Sequence, residues 1–149
     1  RRPAPAPRPP PPPTLPSATL APQVGGSQKL VRPRLVLFGD SITEQSFRPG
    51  GWGAALSDTY SRKADVVARG YGGYNTRWAL FLIHHIFPLD GLAPPLATTI
   101  FFGANDAALL GRTSERQHVP VSEYKNNLKT IVNHLKVISL RYLLVNFSW

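Results

Sequence analysis

The chain has 149 residues, enough for one domain, and a hydrophobic share of 42% supports a buried core. It holds no cysteine, which excludes disulfides and thiolate metal sites, and no apolar run reaches the length of a membrane-spanning helix. The net charge of +9 would suggest nucleic acid, but residues 1–39 carry six bases and no acid while residues 40–149 carry eleven bases against eight acids.

The surplus charge therefore sits mostly in the first segment. Without a basic platform interleaved with aromatics, no nucleic-acid partner is expected. Eleven of the sixteen prolines lie in residues 1–33, including the run Pro9 to Pro13. Such sequence forms neither helix nor sheet ladders and is expected to be disordered. Three roles suit it: a linker or tail, a targeting peptide, or a ligand for a polyproline-reading partner through residues 3–16. A targeting role would imply an organelle; otherwise the location stays open between cytoplasm and organelle. Gly25-Gly26-Ser27 resembles a hinge. The chain opens on Arg1 instead of Met, which suggests a fragment.

From Arg34 the pattern alternates between strand and helix. Leu35–Phe38 is an unbroken apolar run, as in a strand buried on both faces of a parallel sheet. Residues 51–62 place Trp52, Ala55, Leu56, Thr59 and Tyr60 at helical spacing. Residues 64–68 form a short second strand. Thr76 is expected to cap a helix with Trp78, Phe81, Leu82, His85 and Ile86 along one side, ending at Pro88. Residues 98–102 are a third strand. Residues 121–136 are the clearest helix, with Val121, Tyr124, Leu128, Ile131 and Leu135 on one face. Residues 141–147 read as a last strand. The alternation predicts parallel crossovers and a three-layer α/β/α sandwich over residues 34–149.

Three polar or glycine-rich turns each follow a strand: Gly39-Asp40-Ser41, then Arg69 to Asn75 with Gly70, Gly72 and Gly73, then Gly103-Ala104-Asn105-Asp106. Parallel strands deliver all three to one sheet edge, where ligands bind in open α/β sheets. A hydroxyl at Ser41 can act as a nucleophile if a base takes its proton. Asp40 and Ser41 also suit a helix cap, so the tripeptide alone decides nothing. The backbone N–H groups of Ser41 and Gly73 and the Asn105 side-chain amide could form an oxyanion hole, which acyl transfer requires. A glycine at position 73 lets the backbone approach a substrate closely. Trp52, Trp78 and the tyrosines suit core packing, and Arg69 and Arg77 flank the glycine turn.

Gly-Asp-Ser-Ile-Thr, a glycine turn and Gly-x-Asn-Asp, in that order, resemble the SGNH or GDSL hydrolases. Gly70 to Trp78 and His84 to Pro88 are similar to plant esterases of the isoamyl-acetate-hydrolysing type. The resemblance implies a flavodoxin-like sandwich that hydrolyses small carboxylic esters through a Ser41 acyl-enzyme, with no metal or organic cofactor. It assigns Gly73 and Asn105 as the other oxyanion donors and gives Gly39, Asp40, Gly103 and Asp106 the task of shaping the turns. The family's base is a histidine in an Asp-x-x-His block near the C-terminus, and no Asp in this chain is followed three residues later by His. His84, His85, His118 and His134 read as structural or surface residues. The domain is thus expected to be incomplete at its C-terminus and the chain inactive by itself, with a non-catalytic Pro-rich interaction module as the alternative.

Overall fold

The computed structural model describes residues 32–90, 94–138 and 142–145; the expectations for the Pro-rich segment lie outside them. Among the described residues four parallel strands form the sheet, β1 (Arg34–Gly39), β2 (Asp65–Gly70), β3 (Ala97–Phe101) and β4 (Tyr142–Val145), in the order β2-β1-β3-β4. Between them lie α1 (Ser41–Glu44), α2 (Trp52–Thr59), α3 (Thr76–Ile86) and α4 (Val121–Ile138). Among the described residues no helix is long and apolar enough to cross a membrane.

β1 is central, which explains its unbroken apolar run: Val36, Leu37 and Phe38 are all buried. Alternation along the strand divides these residues between two layers. Val36 and Phe38 join Ile100 and Phe102 in one core with Ala79 and Ile83 of α3 and Tyr124, Leu128, Ile131 and Leu135 of α4. Phe38 packs edge-on against Phe102 and Phe87 at ring separations of 4.9 and 5.4 Å. On the other face α1 and α2 cover the sheet, with Trp52 edge-on to Phe101 at 6.2 Å. The result is the expected three-layer α/β/α sandwich with a parallel sheet.

Several local expectations shift. β2 runs on through Gly70 because Gly39 of β1 pairs with it, so the second turn begins at Tyr71. The cap of α3 is Asn75, whose side chain accepts from the Trp78 N–H at 2.9 Å; Thr76 is the first helical residue and is used otherwise. The buried stripe of α3 is Thr76, Ala79 and Ile83, not the expected Trp78-Phe81-Leu82-His85-Ile86 side. Phe81 is 75% exposed. α3 is apolar on nearly every side, so spacing alone cannot orient it. α2 buries Gly53 and leaves Ala55 exposed, because its close approach is made by the residue without a side chain. α4 buries the expected face except for its first residue, Val121.

Replacing Ile83 with Ala should therefore lower unfolding stability by about 2–5 kcal/mol. Phe81→Ala, on the face the periodicity favoured, should change it by about 0.5 kcal/mol or less. Urea unfolding of the two variants decides which face of α3 is inside.

Candidate active site

The three turns meet at one edge because the strands end flush. Gly39 is in register with both Gly70 and Phe101, so the chain leaves β1, β2 and β3 side by side. Hydrogen bonds then tie the exits together. The Asp40 N–H donates to Phe101 O at 3.2 Å, and the Tyr71 N–H donates to Gly39 O at 2.9 Å.

In the first turn, Asp40 caps α1: its Oδ1 accepts from the Ile42 N–H at 2.9 Å. Capping was one of the two roles open to the Gly-Asp-Ser tripeptide, and it falls to Asp40. Ser41 becomes the first residue of the helix, half-buried at the sheet edge. The turn is seated through missing side chains. A Cβ on Gly39 would collide with Thr43 and Phe101 O, and one on Gly70 would collide with the backbone of Glu44.

The second turn closes from the Tyr74 N–H to Tyr71 O at 3.1 Å, with Gly73 at a φ of 78°, a left-handed value that favours glycine. In the third turn, Asn105 Nδ2 donates to Tyr74 O at 2.8 Å, which draws it to the second. Its amide carries another hydrogen for a ligand. Among the described residues no protein acceptor pairs with the N–H of Ser41 or Gly73. The structure thus collects Ser41, Gly73 and Asn105 at one edge.

Asp106 supports that edge, while Gly103 O accepts from the Ala107 N–H at 2.9 Å within the third turn's own loop. Asp106, 3% exposed, accepts from the Thr76 N–H at 3.0 and 3.1 Å and from the Thr76 hydroxyl. Asn127 Nδ2 donates in turn to Thr76 Oγ1 at 3.1 Å. Burial pushes the Asp106 carboxyl above the usual carboxylate range, opposed by the Thr76 donors and the Arg77 charge. Burial also raises Asp40, against its bond from Ile42 and with the Asp106 charge adding to the rise. Asp40 thus caps α1, and Asp106 ties the third turn to the start of α3.

The histidines lie elsewhere. α3 starts at the site edge and runs away from it, carrying His84 and His85 in its last turn. His134 bonds Phe87 O at 2.8 Å and stacks edge-on against His84 at 4.6 Å. His85 lines a 270 Å³ cavity with Arg34 and Pro95, which lie at the opposite ends of the strands. His118 alone sits in a loop on the site side; its Nδ1–H donates to Ala108 O at 2.7 Å. Among the described residues no hydrogen bond reaches the Ser41 hydroxyl. Sequence reading missed Asn75, Gln117 and Asn127 as supports and took Thr76 for the cap; an Asn just before a helix is a cap signal, but nothing marked Gln117 or Asn127.

The GDSL-like lipase/acylhydrolase family model matches residues 35–147, which include all three turns. The chain belongs to this family. A GDSL esterase/lipase of Arabidopsis thaliana is 74% identical over 115 residues, which are 77% of this chain and 48% of the relative. The isoamyl acetate-hydrolyzing esterase 1 homolog of Homo sapiens is 48% identical over 122 residues, 81% of this chain and 49% of that protein. The chain thus spans about half the length of the curated relatives it matches. The solved structure of AlinE4, an SGNH-hydrolase family esterase, covers 76% of this chain with 58% of its own at a TM-score of 0.60 and 21% identity, which establishes the shared fold.

Asp40→Asn tests the cap in this family member. Asn caps as well as Asp but cannot ionise. The folded-state value of Asp40 lies above the reference 3.8, so wild type loses stability as pH rises from there through the folded value. The variant does not incur that loss. Between about pH 4 and about pH 7 the stability difference, followed by urea midpoints, should move in favour of Asp40→Asn; a difference constant with pH would contradict the burial account.

Proposed function

We propose that this chain carries the nucleophile and oxyanion hole of a serine carboxylic-ester hydrolase. Ser41 Oγ attacks the ester carbonyl, and the developing oxyanion is held by the N–H groups of Ser41 and Gly73 and by the Asn105 amide. The alcohol leaves, and water then releases the acyl group from Ser41. What carries this reading is the convergence of three turns bonded to one another at the carboxyl edge of the sheet. The likeness to a protein named for hydrolysing isoamyl acetate favours small acyl esters as substrates. Among the described residues no histidine is hydrogen-bonded to Ser41, and the Asp-x-x-His block typical of the family is absent from these 149 residues. The Pro-rich alternative rests on residues 3–16, outside the described structure.

Loss of the histidine from a serine triad costs on the order of 10⁶ in kcat, and the oxyanion hole retains about 10³ over water. The 149-residue chain should accordingly hydrolyse p-nitrophenyl acetate little better than its Ser41→Ala variant. A longer form carrying an Asp-x-x-His block should turn over robustly and lose that activity with Ser41→Ala. Robust turnover by the 149-residue chain, abolished at His118, would place the base within these residues.

A further inference from the structure

Gln117, Wholly outside the three motif turns, reaches into the second of them. Its Nε2 donates to Gly73 O at 2.9 Å, and its own carbonyl accepts from Asn75 Nδ2 at 2.8 Å. Asn75 is fully buried and caps α3 through its other amide atom. The two residues after Gln117 are also fastened: His118 to Ala108 O, and the Val119 N–H to Asp106 O at 3.0 Å. Three consecutive residues thus bind the second turn, the loop just after the third turn, and the third turn itself at Asp106.

The glycine turn needs such a fastening. Gly72 and Gly73 form its middle, and neither has a side chain to restrict the peptide between them. That peptide carries the Gly73 N–H. The carbonyl on one side, Gly73 O, is held by Gln117; the next, Tyr74 O, is held by Asn105. The Gln117 amide also stands 3.2 Å from where a Gly73 Cβ would be, closing the space into which the residue could shift.

We propose that Gln117 is a positioning residue for the oxyanion hole, fixing Gly73 so that its N–H points at the substrate oxyanion. The role rests on the Ser41 ester-hydrolase reading. Gln117 touches no reacting atom and acts only through Gly73.

The test uses phenylboronic acid on the 149-residue chain, because it probes the hole without a catalytic base. A bond forms between Ser41 Oγ and boron, the hydroxyl proton passes to water, and boron becomes a four-coordinate anion with a hydroxyl in the place of the oxyanion. Wild type should bind, and Ser41→Ala should not; equal binding by these two would remove the ester-hydrolase reading and the Gln117 role with it. Gln117→Glu keeps the shape but loses the donor, and Gln117→Ala keeps the backbone carbonyl that holds Asn75. Each should bind about tenfold more weakly than wild type, with the melting temperature nearly unchanged, since a misplaced donor costs less than the 10²–10³ of a deleted one. Lowering the pH towards about 4.3 protonates the Gln117→Glu carboxyl and restores an O–H donor, so its deficit relative to wild type at the same pH should shrink. If wild type binds and both variants match it, Gln117 does not position the hole. A deficit in Gln117→Glu that ignores pH and tracks a lowered melting temperature would mean that the residue only supports packing, and would also overturn the proposal.

Discussion

The carboxylate of Asp106 is the constraint on which the site edge depends. A charge that is 3% exposed is costly to bury unless donors surround it. It draws both donors of Thr76, and Thr76 in turn is backed by Asn127 of α4. Satisfying this one group fixes where α3 begins, how the third turn lies against it and how α4 approaches. Its neighbour Asn105 is thereby set to hold Tyr74 O, and the backbone carbonyl of Asp106 accepts from the Val119 N–H. The raised proton affinity of Asp106 reflects burial and is consistent with a structural use of the carboxyl.

Packing supplies most of the remaining cohesion. Between α3 and α4 a bidentate pair joins Arg77 to Glu123 at 2.6 and 2.7 Å. Both side chains are more than a third exposed, so solvent screening keeps the contribution of the pair small. The apolar contacts of Ile83, Leu128 and Ile131 beneath it matter more.

Parts of this were legible in the chain itself. The unbroken run of β1 announced a central parallel strand, because only a strand buried on both faces needs no alternation. From parallel strands followed a common edge for the three turns, and hence the grouping of Ser41, Gly73 and Asn105. The orientation of α3 was not legible: with apolar residues on most sides, burial was decided by the fit of Ala79 and Ile83 against the sheet. Nor was the tie from Gln117. It sits 44 residues from Gly73 in a single polar 3-10 turn, and its partner is a backbone carbonyl, which any residue offers. Asn75 was displaced by Thr76 because both cap helices well, and only the Asp106 bond assigns Thr76 elsewhere.

The missing side chains at Gly39 and Gly70 have an energetic meaning for ligand binding. At Gly70 the backbone of α1 rests directly on that of the sheet, and at Gly39 only the short Thr43 side chain stands between them, which leaves little to absorb a tilt. Freedom that a looser loop would surrender on meeting a substrate has already been given up during folding, so the entropy of ordering the seat is not charged to the encounter. On the ester-hydrolase proposal, an incoming ester would have to adapt to this seat, and discrimination among acyl groups would fall to the walls around it.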